Sequence, residues 1–199
     1  MHSPRLTPRK SPSQPRSAHT VNAILEGAAH ILESLGLEGY TTNAIAERAG
    51  VSIGSLYQYF PTKEAVTVAL IEREMTVLVQ EAKQALQHHD RHEALYQLVV
   101  VAVRYQMRRP ILAALLDFEQ HRLSAMMPRS NASASMHAAL ADFLKGEMFS
   151  GRVSLDIVAS EMMAIISSLT DAAGRRDDHQ HAQLIKRIQG ALLGYMCVI

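Results

Sequence analysis

The chain has no tryptophan, one cysteine and only 5% aromatic residues, and its formal net charge is just +1. The lone Cys197 excludes an intrachain disulfide, which suits a reducing cytoplasm. No apolar stretch reads as the ~20 residues needed to cross a bilayer, so no membrane partner is expected. The N-terminal segment lacks the apolar core of a secretory signal. Chemistry is missing too. No acid–base pair, phosphate loop or nucleophile motif is present, and the His and Ser residues have no triad spacing. His88, His89 and His92 cluster, but no Cys or acid at reliable ligand spacing joins them. The expectation is a cytoplasmic protein with no catalytic residue, no metal and no cofactor.

What the chain has is apolar periodicity and a charge imbalance at one end. With 48% hydrophobic and 20% charged residues it can bury an ample core. The first twenty residues hold Arg5, Arg9, Lys10 and Arg16 and no acid. Elsewhere positive charge is matched by acids. Residues 1–17 therefore read as a basic Pro- and Ser-rich tail, disordered alone. Such a tail is either simply solvated or adds affinity for phosphates.

Residues 41–64, TTNAIAERAGVSIGSLYQYFPTKE, are the most informative segment. Thr41 and Thr42 are both suited to cap a helix bearing Ile45, Ala46 and Ala49. Gly50 follows, where a left-handed turn favours glycine. Ser52 caps a second helix running to about Phe60, and Pro61 stops it. Helix, Gly-containing turn and helix make a helix-turn-helix over about 41–60. At about 100° per residue, Leu56 and Phe60 share one face, flanked by Ile53 and Tyr59. Gly54 and Gln58 share the opposite face, with Ser55 beside them and Tyr57 on the other shoulder. A helix-interior Gly costs about 1 kcal/mol relative to Ala, and close approach of another surface would offset that. Lys63 opens the third helix, where the dipole disfavours a cation unless a phosphate sits there.

The run T-T-x-x-I-A-x-x-A-G-V-S-x-G-x-L-Y-x-Y-F-x-x-K-E resembles the DNA-binding domain of the TetR family of bacterial transcriptional regulators. A preceding amphipathic helix fits the same pattern, with Val21, Ile24, Ala28, Ile31 and Leu35 at helical steps and Gly36 ending the run. The resemblance covers roughly residues 18–75. It implies that Thr42 and Lys63 contact phosphate and that Ser52, Gly54 and Ser55 form the groove-facing start of the recognition helix. Tyr57 and Tyr59 resemble tyrosines whose hydroxyls clamp the backbone. Gln58 has the chemistry to read adenine, or to reach only phosphate.

The expected fold is all-α. A helix-turn-helix domain spans 18–64 and a helical regulatory and dimerisation domain spans 65–199. In the second domain a long helix runs from Thr62 to the polar run at Gln87. Helical segments follow at 94–107, 111–123 and near 136–149, with a loop at 124–135. Two helices rich in small and aliphatic residues, 155–173 and 180–195, expose more apolar surface than one body covers. The resemblance implies that they form a dimeric four-helix bundle. Tyr105, Met107, Phe118, His121, Met126 and Met163 are candidate lining residues of an effector pocket, since Met adapts to irregular shapes and Tyr or His orients a polar group.

The expected function is a homodimeric regulator of double-stranded operator DNA, a repressor released by a small-molecule effector. The alternatives are a ligand-independent DNA-organising protein and an enzyme with an incidental helix-turn-helix.

Overall fold

In the computed structural model, the described residues are Leu6, 15–124, 131–145, 153–176 and 180–199. Among them are nine helices and no strand: α1 (Pro15–Gly39), α2 (Thr42–Arg48), α3 (Ile53–Tyr59), α4 (Lys63–Leu86), α5 (Arg91–Arg108), α6 (Pro110–Leu123), α7 (Asn131–Leu144), α8 (Leu155–Arg175) and α9 (His181–Val198). The chain divides into two compact units, Met1–Glu74 with Ile111–Pro128, and Met75–Pro110 with Arg129–Ile199. The division falls inside α4, and α6 belongs with the first unit.

The first unit is built on α1. Pro15 opens it, a position where a missing N–H costs nothing. Residues 15–17, assigned to the tail from sequence, are therefore helical, and the rest of that tail apart from Leu6 lies outside the described residues. Ile24, Leu25, Ala28, Ala29, Ile31 and Leu32 are buried. Leu35 was expected on this stripe but is 56% exposed. The cause is the kink at Gly36, whose φ of 62° and ψ of −164° interrupt α1. Leu35 folds over that turn, and a Cβ on Gly39 would fall 2.4 Å from the Leu35 Cβ. Gly27 lets α1 and α2 meet closely: a Cβ there would sit 3.1 Å from the Ala49 Cβ and from the Ile45 carbonyl oxygen. Arg73 ties α4 to α1, pairing with Glu26 at 3.2 Å and with Glu74 at 2.7 Å.

On α6, Leu112, Ala113, Leu116, Glu119 and Leu123 are buried. That register leaves the opposite stripe bare, with Ile111 59% and Phe118 56% exposed. The buried Glu119 carboxylate is neutralised by Arg122, with bonds of 2.8 and 2.6 Å.

The second unit packs one apolar core from α4's C-terminal half and helices α5, α7, α8 and α9, with Leu95, Val99, Leu140, Leu144, Val158, Met162, Ile188 and Leu192 at its centre. Asp90 caps α5 by accepting from the His92 and Glu93 N–H groups, and these bonds hold its carboxyl below the usual range. Arg91 donates to the Phe143 carbonyl and lies 4.4 Å from that ring's centre. α7 begins at Asn131 rather than near 136, because Ala132, Met136 and Leu140 keep core spacing through the Ser- and Asn-rich stretch. α8 departs from the expectation that no stretch has the length and apolarity of a bilayer span, although these are traits that core helices of water-soluble proteins share. By length and composition it is apolar enough to cross a bilayer, with a mean hydropathy of 1.2 over 18 residues, and only 33% of that window is buried.

Candidate nucleic-acid interface

The turn between α2 and α3 is fixed by paired caps. Thr41, not Thr42, caps α2, accepting the Ala44 N–H at 3.2 Å. At the other end the Val51 N–H donates to the Ala46 carbonyl (3.0 Å) and the Gly50 N–H to the Glu47 carbonyl (3.1 Å). This is the Schellman arrangement, with Gly50 left-handed at φ 67°. Ser52 then caps α3, accepting the Ser55 N–H at 3.0 Å, and the two serine hydroxyls lie 2.8 Å apart.

Leu56 and Phe60, at 0% and 1% exposure, hold α3 down. Its other side is open. Ser52, Gly54, Tyr57 and Gln58 are exposed, and Ser55 and Tyr59 are half-buried. Ile53 was expected to flank the buried face but is 39% exposed, because it stands at the first position of the helix, beyond its supporting neighbours. A Cβ on Gly54 would meet only the Ser52 hydroxyl, at 3.8 Å. Among the described residues nothing requires glycine there.

Thr42 stands at the first position of α2, and its hydroxyl lies 3.2 Å from the Tyr57 hydroxyl. Two hydroxyls fifteen residues apart thus converge on one exposed point beside the start of α2. Each can donate to an anionic oxygen. Lys63 opens α4 nearby in sequence, and its Nζ lies 5.8 Å from the centre of the Tyr40 ring. Sequence reasoning missed Tyr40 and Gly27; the signal for Gly27 was a glycine inside an amphipathic helix facing a small residue.

The candidate effector residues are not gathered within either unit. Met107 and Met163 pack on the core of the second unit, to which Tyr105 also belongs. Phe118 and His121 belong to the first unit and are exposed, and His121 Nδ1 lies 2.9 Å from the Asp117 carbonyl oxygen. Met126 lies outside the described residues.

An open groove of about 650 Å³ instead lies on α7 and α8, lined by Ala134, His137, Asp156, Ile157, Ser160 and Glu161. His137 Nε2 is 3.0 Å from both the Ser160 hydroxyl and the Asp156 carbonyl oxygen, and Nδ1 is 4.0 Å from Asp156 Oδ1. The grouping has the composition of a nucleophile triad but not its proton arrangement. A carbonyl only accepts, so Nε2 must carry the proton and has no lone pair to activate Ser160. Among the described residues no group of three metal-ligating side chains occurs.

Residues 24–70 match the family model described as bacterial regulatory proteins, tetR family. The chain is 40% identical over 55 residues to the tetracycline repressor protein class C of Escherichia coli, which is 28% of this chain and 25% of that protein. It is 31% identical over 107 residues to the nucleoid occlusion factor SlmA of Vibrio vulnificus, 50% of this chain and 55% of that one. The chain thus spans from a quarter to about half the length of these curated relatives. Similarity of fold extends further. The fatty acid degradation regulator FadR from Bacillus halodurans superposes with a TM-score of 0.77 over 92% of this chain and 97% of that one, at 20% identity.

Proposed function

The chain belongs, through residues 24–70, to the TetR family of bacterial regulatory proteins, and from that premise we propose that it is a homodimeric, sequence-specific transcriptional regulator of double-stranded DNA. The observation that carries this is the bare polar face of α3, with Gly54 exposed and crowded only by the Ser52 hydroxyl at 3.8 Å, and the Thr42 and Tyr57 hydroxyls converging beside it. Thr42, Tyr57, Tyr59 and Lys63 contact phosphates. Ser52, Gly54, Ser55 and Gln58 enter the major groove.

The dimer forms through α8 and α9. Two-thirds of the apolar window of α8 is left unburied by its own chain. Ile157 is 50% and Val198 82% exposed, and Ala164 lies on the open side of α8. On α9, Gly190 and Gly194 are one helical turn apart, and a Cβ on either would meet nothing. Exposed Asp156 and Glu161 on α8 complement exposed Lys186 and Arg187 on α9. In a two-fold pair each helix can meet its opposite in charge. Two α3 helices then reach successive major grooves about 34–36 Å apart.

The protein acts in the cytoplasm as a repressor, and a small-molecule effector releases it by favouring a state in which the two heads no longer match that spacing. A second reading has one observation in its favour. The likeness to a nucleoid occlusion factor supports a role at the nucleoid rather than at promoters. Mapping bound sites across the genome of the source bacterium separates the two. A few palindromic promoter sites support the regulator, and dispersed sites unrelated to promoters support the organiser. Absence of binding to any duplex would contradict both.

A further inference from the structure

Lys63 stands where a cation is disfavoured. It is the first residue of α4, at the positive end of the helix dipole. Among the described residues no ion pair to it is present. What meets it is the Tyr40 ring, at 5.8 Å from Nζ. That falls within the about 6 Å over which a ring face attracts an ammonium.

Tyr40 is 1% exposed and precedes the cap of α2. Its hydroxyl lies 3.2 Å from Thr67 Oγ1, which is also 3.1 Å from the Lys63 carbonyl oxygen. Thr67 therefore touches both the ring and the helical turn that carries the lysine. Burial, with the nearby Glu119 and Glu64 charges, keeps the phenol well above its usual pKa despite the Thr67 bond. The ring is neutral across the physiological range.

We propose that Tyr40 is the positioning residue for Lys63: its buried ring, pinned by Thr67, holds the ammonium at the first turn of α4, ready for a DNA phosphate. The inference rests on the DNA-binding reading above. An unsupported lysine would lose side-chain freedom on meeting phosphate, and a held one has less to lose. The lysine charge also remains available, since a ring attracts it without neutralising it.

The test uses the full chain and a fluorescent 30-base-pair duplex at fixed salt, because phosphate contacts operate without sequence preference. Binding is measured for wild type, Tyr40→Phe, Tyr40→Leu, Lys63→Ala and the Tyr40→Leu/Lys63→Ala pair. Tyr40→Phe keeps the ring but loses the Thr67 bond that pins it, and should bind between wild type and Tyr40→Leu. Tyr40→Leu should weaken binding about threefold per head, the size of an exposed cation–π contact. In the Lys63→Ala background it should change nothing. An equal loss in both backgrounds would mean that Tyr40 acts through the fold, and would overturn the proposal. No binding by wild type would instead overturn the parent reading.

A second measurement needs no destabilising variant. In lysine-labelled wild-type protein, the Lys63 ε-methylene signal, assigned by its loss in Lys63→Arg, should lie upfield of the other lysines through the ring current. A signal at the ordinary lysine position would overturn the proposal whatever the DNA result.

Discussion

Helix α3 and the α8–α9 pair leave different kinds of surface uncovered. The first unit bares a small polar face on α3, where Ser52, Gly54 and Gln58 are exposed over a tightly buried Leu56. The second leaves Ile157 and Ala164 on α8 and Gly190, Gly194 and Val198 on α9 open, edged by the exposed Ser160, Glu161, Ser167 and Ser168. A polar, hydroxyl-bearing face suits a wet and highly charged partner. An aliphatic face edged with complementary charge suits a protein surface, whose core is depleted in charge. On the proposed reading, the contrast teaches that the local chemistry of each bare face is matched to a different class of partner.

The contrast is broken most severely in the second unit. Ala164→Glu places a charge on the open face of α8. The account expects monomers by sedimentation and a loss of duplex affinity of about 100-fold or more, since the second head no longer binds intramolecularly. A dimer with wild-type affinity would move the interface elsewhere.

A smaller effect is expected from the side chains proposed to bind phosphate in the first unit. The Tyr57→Phe/Lys63→Ala double variant should weaken binding roughly tenfold at fixed salt. The slope of log affinity against log salt should become shallower by about 0.9 for each lysine–phosphate pair removed. Unchanged slope in a folded variant would remove Lys63 from the interface.

Smaller again is the effect of Ser52→Ala. It removes the α3 cap, which accepts the Ser55 N–H at 3.0 Å. Thermal or urea unfolding should show a loss of about 1 kcal/mol. If stability holds and DNA affinity alone falls, the hydroxyl serves the partner rather than the helix.

Sequence carried the first unit further than the second, for physical reasons. Caps, the Gly50 turn and the stop at Pro61 are local signals, so α2 and α3 were legible nearly residue by residue. Even there, Thr41 and Thr42 were equivalent caps until the backbone chose Thr41, which frees Thr42 to meet Tyr57. Leu35 kept perfect helical spacing but lost its burial to a kink at Gly36 that periodicity does not see. In the second unit the helices were legible from apolar spacing, but the partners of each face were not. Phe118 is a candidate pocket residue by sequence, and the register set by Leu112, Leu116 and Leu123 leaves it 56% exposed. The α7–α8 groove depends on His137 and Asp156 meeting across nineteen residues, which no local pattern announces.

The central claim is that the bare face of α3 is shaped for DNA, and Gly54→Ala tests it most directly. The added methyl meets nothing in the chain nearer than the Ser52 hydroxyl at 3.8 Å. Alanine should therefore raise stability by up to about 1 kcal/mol. Melting temperature and duplex affinity are measured on the same preparation. The account predicts a melting temperature equal to or above wild type together with clearly weaker DNA binding. Undiminished affinity in the stabilised variant would contradict it, because glycine would then serve neither the fold nor the groove.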